Sequence, residues 1–113
     1  MSRPILTIIF LMTCPVATAQ ANDFDKVCHF FSSLEDKNNQ RSMSHKERNQ
    51  FISGKISNQL SSHSNARIAW EAIAFASSEQ RYALFKSGAE SVIKRKWDCD
   101  AMKRLAHITG EFE

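Results

Sequence analysis

Glycine and proline are scarce in this sequence. Only 3 glycines and 2 prolines occur among 113 residues, and Pro4 and Pro15 both lie near its start. A small all-β domain needs more of these residues to form its turns, so their scarcity argues against that class of fold. The scarcity favours helices, because no proline interrupts the chain after Pro15.

The sequence also lacks a long apolar run and a strong excess of charge. The apolar run at residues 5–12 is far shorter than the ~20 residues that a membrane-spanning helix needs. The net charge of +3 is too small to indicate a nucleic-acid partner. With 42% hydrophobic and 24% charged residues, the chain has the composition of one ordinary globular domain.

No constellation of reactive residues is present. The chain contains no G-x-S-x-G motif and no C-x-x-C motif, and its histidines are scattered over positions 29, 45, 63 and 107. Glu71 lies in an apolar segment, but a single carboxylate without a partner is typical of a helix surface. We therefore predict a protein that is not an enzyme and binds no metal or cofactor.

The first twenty-one residues have the layout of a secretory signal peptide. Arg3 gives a positive start, the apolar run 5–12 follows, and small residues then alternate up to Ala19 and Ala21. We expect cleavage after Ala21. The mature chain is then a single helical domain, residues 22–113, in the periplasm or outside the cell.

A less favoured interpretation concerns Cys14. The segment from Leu11 to Cys14 is similar to the lipobox of bacterial lipoproteins, although Thr13 departs from that pattern. If Cys14 were acylated, the protein would be a small lipoprotein of an envelope complex.

Two cysteines remain in the predicted mature chain, Cys28 and Cys99. An even number of cysteines in an exported chain predicts a disulfide. Closing so long a loop constrains the unfolded chain by about 4 kcal/mol. The bond would staple the first helix to the start of the last.

Hydrophobic residues recur at helical spacing along the rest of the chain. The spacing predicts five short helices, at about residues 23–36, 44–60, 65–76, 77–96 and 98–109. Helices joined by such short loops are typical of a compact all-α bundle. The segment 65–76 is the most apolar, and we expect it to be the central helix. Its predicted buried side consists of Ile68, Ala69, Ala72, Ile73 and Ala76, and Trp70 and Phe75 widen that side. We expect Trp70 to pack in the core.

Several side chains predict local features of these helices. Ser44 with Glu47 has the capping-box spacing, and Ser77 with Gln80 repeats it. Asp98 is suited to capping the start of the fifth helix. A further expectation is that the glycine at position 54 allows a neighbouring helix to approach closely.

One cluster of cations is a candidate partner-binding patch. It consists of Lys94, Arg95, Lys96, Trp97, Lys103 and Arg104. For Trp97 we favour packing over the disulfide, and an exposed interface anchor is the alternative. Such a patch would suit an acidic partner, whereas Asp98 and Asp100 would partly neutralise it. Nucleic acid is not expected, because an exported protein seldom meets it and aromatic residues do not cluster beside these cations.

The chain is small, it has a predicted signal peptide and predicted helices, and its late Trp97-Asp98-Cys99 sequence contains one cysteine of the single predicted disulfide. In these features it resembles the helical immunity proteins that neutralise cell-wall-degrading toxins in the periplasm. It also resembles the small acid-stress chaperones of the periplasm. The first resemblance implies a non-catalytic protein that binds another exported protein as an inhibitor or immunity factor, and the second implies a stress chaperone.

Overall fold

A computed structural model describes residues 14–109 of the chain. Within this range it contains five α-helices and no strand. The helices are α1 Cys14–Gln40, α2 His45–Gln59, α3 Asn65–Ile73, α4 Arg81–Ile93 and α5 Asp100–Leu105. Single 3-10 turns, Ser78–Gln80 and Ala106–Ile108, precede α4 and follow α5. The predicted all-α bundle is therefore confirmed.

The predicted signal peptide lies largely beyond this description, since residues 1–13 are outside the described range. Among the described helices, none is both long enough and apolar enough to cross a membrane.

Helix α1 is longer than the sequence pattern predicts. Its helical conformation extends over all the described residues that precede the predicted segment, from Cys14 onward. It continues past residue 36 to Gln40, because the polar residues there contain neither glycine nor proline to end it. The turn that follows is closed by the backbone N–H of Met43, which donates to Asn38 Oδ1 over 3.1 Å.

The core forms where α1 meets the other helices. The side chains that α1 contributes recur at helical spacing, and they are Phe24, Val27, Phe31 and Leu34. Phe85 of α4 lies at the centre of an aromatic cluster, with ring centroids 5.5 Å from Phe24, 5.5 Å from Trp97 and 6.4 Å from Trp70. Edge-to-face contacts of this kind stabilise a core beyond the area they bury.

The disulfide between Cys28 and Cys99 is confirmed. It joins residues 71 positions apart, with a Cα–Cα distance of 5.7 Å, and it links α1 to the N-terminus of α5. Disulfides persist in oxidising surroundings, so the bond indicates a compartment other than the cytoplasm.

The predicted capping box at the start of α2 is confirmed. Ser44 Oγ accepts from the Glu47 backbone N–H over 3.1 Å, and Glu47 Oε1 accepts from the Ser44 backbone N–H over 2.9 Å. The second predicted box is wrong, because Ser77 makes no capping hydrogen bond and a 3-10 turn follows it instead.

Two further local predictions are also wrong. The N-cap of α5 is Cys99, whose Sγ accepts from the Met102 backbone N–H over 3.4 Å, while Asp98 is engaged by α4. Gly54 does not sit at a close helix crossing, since a methyl group added there would meet nothing within 4 Å.

Candidate functional site

The predicted basic patch begins at the connection between α4 and α5. Lys94, Arg95 and Lys96 are all exposed there. Lys94 ends α4 in the left-handed conformation, with φ 64°, and its backbone N–H donates to Glu90 O over 2.9 Å. The three cations therefore project from a sharp turn at the end of a helix.

This connection is held against α4 by Lys86. The Lys86 ammonium donates to Glu90 Oε2 over 2.7 Å, to Trp97 O over 2.6 Å and to Asp98 Oδ1 over 3.1 Å. Glu90 Oε2 also accepts from the Trp97 backbone N–H over 2.9 Å. The hydrogen bonds from Lys86 lower the pKa of both Glu90 and Asp98, and the bond to Glu90 raises the pKa of Lys86.

The remaining cations of the predicted patch lie on α5. Lys103 and Arg104 are exposed, but Arg104 forms two hydrogen bonds with Glu35 of α1, at 2.5 and 2.8 Å. The guanidinium lowers the pKa of Glu35, and Glu35 raises the pKa of Arg104. Arg104 thus ties α5 to α1.

Trp97 is buried, although the predicted patch includes it. Its side chain is 3% exposed, its ring packs against Phe85, and its Nε1–H donates to Asp25 Oδ1 over 3.1 Å. The indole therefore belongs to the core and offers no aromatic anchor to a partner. The structure leaves Lys94, Arg95, Lys96 and Lys103 as the exposed cations of the predicted set that form no ion pair within hydrogen-bonding distance among the described residues.

The predicted buried side of α3 is wrong in part. Ile68 is 50% exposed, Phe75 is 82% exposed, and Ala72 is also exposed. Trp70 and Ile73 are buried as predicted, together with Ala66. The buried and the exposed residues form two stripes with the same i, i+4, i+7 spacing, and the stripe with the large indole faces the core because it removes more apolar area from water.

The exposed set on α3 continues into the turn after the helix. Phe75 lies there at 82% exposure, in helical register with Ile68 and Ala72, and Leu84 of the adjacent α4 is 46% exposed. We call these four residues the apolar face. Sequence reasoning missed it, and the available signal was the second apolar stripe of α3.

A groove between α2 and α3 borders the apolar face. Its volume is about 320 Å³, and it is lined by Ser53, Ile56, Ser57, Trp70, Glu71, Ala74 and Phe75. Ser57 Oγ donates to Ser53 O over 2.9 Å, so that hydroxyl is already satisfied within α2. The groove therefore favours an apolar group over a charged one.

The surroundings of the apolar face carry little charge. The exposed residues of α4 are uncharged, and they are Ala83, Leu84, Ser87 and Ser91. Glu71 of α3 is 60% exposed but forms an ion pair of 3.1 Å with Arg67. Helices α3 and α4 approach closely here, since a methyl group on Gly88 would lie 3.8 Å from Ala69 Cβ.

Metal binding has no evident centre in the described part of the chain. The residues whose side chains the structure describes, 23–109, contain no group of three or more histidine, cysteine or acidic side chains that could hold a metal ion. Glu71, the single carboxylate of the apolar segment, is 60% exposed and forms an ion pair with Arg67.

The chain matches no known protein family, and no curated protein or solved structure is significantly similar to it. Its function therefore has to be argued from its own residues.

Proposed function

We propose that this chain is an exported helical protein that binds another exported protein without catalysis, as an inhibitor or immunity-type protein does. The observation that carries the proposal is a group of large apolar side chains exposed on α3, on the turn after it and on α4, namely Ile68 at 50%, Phe75 at 82% and Leu84 at 46%. Exposed apolar side chains that lie together are typical of a protein-binding surface.

The rigidity of the bundle supports a binding role. Trp70 and Ile73 anchor α3 in the core, because their side chains are buried there. The disulfide fastens α1 to the start of α5. A surface that is already ordered loses little conformational entropy when it binds, so more of the contact energy appears as affinity.

The basic connection supplies a second contact region in this proposal. Lys94, Arg95 and Lys96 project from the end of α4, whose outer side carries Leu84 of the apolar face. Cations at the edge of an apolar surface accelerate the approach of an acidic partner. We therefore expect the apolar face to provide most of the affinity for the partner. The cations of the connection should increase the rate of association.

Export is part of the proposal. The disulfide supports a location outside the cytoplasm, and the sequence pattern of residues 1–21 supports a signal peptide removed after Ala21. The lipoprotein alternative, with Cys14 acylated, predicts a heavier chain held at a membrane. The intact mass of the protein from its native envelope fraction separates the two.

Site-specific crosslinking tests the binding proposal. Benzoylphenylalanine is placed at position 75 in the full-length chain, with position 103 on α5 as the matched control. After illumination of living cells, we expect an adduct with an exported protein at position 75 and none at position 103. Mass spectrometry identifies the partner, and Phe75→Ala should weaken its binding about tenfold or more. Absence of any adduct from positions 68, 75 and 84, with the disulfide intact, would overturn the proposal.

A periplasmic stress chaperone is the second candidate. The ion pairs of Glu35, Glu90 and Asp98, which lower the pKa of each carboxyl, are lost in strong acid. In this candidate the chain then loosens and exposes its apolar stripes. A hydrophobic dye that binds between about pH 7 and pH 3 would favour this candidate, and no dye binding would remove it.

A further inference from the structure

We propose that the turn between α1 and α2 carries a binding site for a phosphate monoester. The site is a groove that we call the cationic groove, and it is lined by Lys37, Gln40, Arg41 and Met43. Its volume is about 320 Å³, at the lower end of the range for sites that hold small ligands. The proposed function does not require this site.

The lining of the groove offers free donors to an anion. Lys37 lies in the last turn of α1, and Arg41 directly follows that helix. Among the described residues, the guanidinium of Arg41 donates only to Glu47 Oε2, over 3.3 Å, and both side chains of that pair are exposed. The other N–H groups of Arg41 remain available, and the side-chain amide of Gln40 lines the same groove.

Two lysines approach one aromatic ring beside the groove. Lys37 Nζ lies 5.9 Å and Lys55 Nζ lies 5.4 Å from the centroid of the Phe51 ring. The ring attracts each cation, but the two ammonium groups repel each other. Neither lysine forms an ion pair in the described part of the chain. An anion bound beside Lys37 would therefore reduce this repulsion.

A further cation lies behind the wall that Met43 forms. Arg48 is half-buried, its Nη1–H donates to Met43 O over 2.5 Å, and its Nε–H donates to Ile108 O over 2.9 Å. Both acceptors are uncharged carbonyls, and Arg48 has no carboxylate partner in the range that the structure describes. Its charge therefore adds to the positive potential at the groove.

The arrangement of these charges indicates the class of ligand. Cations surround the groove on several sides, whereas Glu47 is the one carboxylate of the described range that forms an ion pair with any of them. One guanidinium can bind a carboxylate ligand through both oxygens. A phosphate monoester carries a charge of about −1.5 to −2 and three acceptor oxygens, so it can use several separate donors at once. The surrounding cations are Lys37, Arg41, Arg48 and Lys55.

The cationic groove and the apolar face lie on different sides of the bundle. Phe51 and Lys55 are one turn apart on α2, so they share one side of that helix. Ser53 lies between them in sequence and therefore on the opposite side, where it lines the groove that borders the apolar face. A phosphate group could thus be bound while a partner protein occupies the apolar face.

A nuclear magnetic resonance titration of the disulfide-bonded protein tests the site, with inorganic phosphate as the probe. Phosphate replaces chloride at constant pH and ionic strength, so a change in screening cannot imitate binding. We expect saturable shifts of the backbone amide signals of residues 37–43 and 48–55. Lys37→Gln and Lys55→Gln should each raise the dissociation constant about three- to fivefold.

Lys26→Gln is the matched control for these two variants. Lys26 is an exposed cation of α1, about 16 Å along the helix axis from Lys37. Its substitution changes the net charge by the same amount, and it should leave the dissociation constant unchanged. Thermal unfolding verifies that every variant is folded.

Glu47→Gln gives a sharper test, because binding should become tighter. The substitution removes the carboxylate that competes for Arg41. Glutamine can still accept the hydrogen bond from the Ser44 backbone N–H, so the capping box of α2 is kept. We expect the dissociation constant for phosphate to fall about threefold. Damage to the fold cannot explain a tighter complex.

Vesicles distinguish a lipid headgroup from a soluble phosphate ester. The probe vesicles contain equal parts of phosphatidic acid and phosphatidylcholine, and vesicles of phosphatidylcholine alone are the control. If the protein sediments with the probe vesicles and the double variant Lys37→Gln, Lys55→Gln does not, the ligand is a lipid headgroup. If the protein binds inorganic phosphate but neither kind of vesicle, the ligand is a soluble phosphate ester.

Three outcomes would overturn the phosphate site. In the first, inorganic phosphate causes no saturable shift and the probe vesicles do not sediment the protein. In the second, the double variant binds either probe as tightly as the wild type does. In the third, Glu47→Gln leaves the affinity for phosphate unchanged or weakens it.

Discussion

The two sides of this bundle are stabilised in different ways. On the disulfide side, which comprises α1, α5, residues 94–99 and the side of α4 that faces them, polar side chains are engaged with one another. Examples are Lys86 with Glu90 and Asp98, and Arg104 with Glu35. The apolar face presents Phe75 and Leu84 to solvent instead. One side is thus held by ion pairs and a covalent bond, and the other exposes large apolar side chains.

This difference shows why charge was a poor guide to the contact surface. The cations that cluster in the sequence are partly used to hold the chain together, because Arg104 binds Glu35 and the 94–99 connection is fixed by Lys86. Exposed ion pairs each contribute little to stability. Their effect here is to position α5 and the connection, while apolar burial and the disulfide stabilise the bundle.

Removing the disulfide should have the largest effect and should act on one side only. With Cys28→Ser and Cys99→Ser together, we expect the free energy of unfolding to fall by about 4 kcal/mol. With Cys28→Ser and Cys99→Ala it should fall by about 1 kcal/mol more, because alanine cannot cap α5. Urea unfolding followed by circular dichroism measures both. A loss below about 2 kcal/mol would mean that the bond does not restrain the unfolded chain as argued.

A matched pair of phenylalanine variants compares the core with the apolar face directly. Phe85→Ala should cost about 3 to 5 kcal/mol, because the ring is fully buried in the aromatic cluster. Phe75→Ala should change stability by no more than about 0.5 kcal/mol, because its ring is exposed. Chemical denaturation of both variants measures the contrast. If the two variants lost the same free energy of unfolding, this would contradict a structure in which Phe75 lies outside the core.

Acid should weaken the disulfide side and spare the apolar face. Glu35, Glu90 and Asp98 have a pKa below the ordinary values of 4.5 for Glu and 3.8 for Asp. The unfolded chain therefore binds more protons than the folded chain as the pH falls. Stability should be constant above these values and decline below them, as the pH passes through the lowered pKa values. Lys86 has a raised pKa, and its contribution is lost only in strong alkali.

Denaturant midpoints measured across the acid range test this expectation. Glu90→Gln should flatten the decline, because that residue no longer titrates, and Glu79→Gln in the exposed turn before α4 is the matched control. If both variants give the wild-type slope, the ion pairs around Lys86 do not control the acid response.

The smallest expected change is a gain in stability within α2. Gly54→Ala should stabilise the protein by up to about 1 kcal/mol, because alanine favours a helix and the added methyl group meets open space. Thermal unfolding measures the gain. A loss of stability would mean that this site is more crowded than the structure indicates.

The sequence could predict what depends on local spacing. The capping box of Ser44 and Glu47 lies within one turn, and five periodic segments became five helices. The pairing of Cys28 with Cys99 followed from counting cysteines after the predicted cleavage. For each of these features the sequence allowed few alternative structures, so little had to be excluded.

The remaining features depend on contacts between distant residues. Trp97 was expected to be buried because it lies beside Cys99, but its hydrogen bond to Asp25 joins residues 72 positions apart and could not be predicted from the sequence. The orientation of α3 is a similar case. Ala66, Trp70 and Ile73 have the same spacing as Ile68, Ala72 and Phe75, so periodicity cannot decide which set faces the core. A helix that is apolar on two sides is now better interpreted as both a core element and a candidate contact surface.

Cys99 has one further consequence for where this polypeptide can mature. The helix that it begins, α5, has six residues, and a helix so short does not persist in water by itself. This stretch has to be fastened to α1, and its cysteine does so through a covalent bond. That bond forms where an oxidant reaches the thiols. The finished shape of the molecule therefore depends on the redox conditions in which the chain folds.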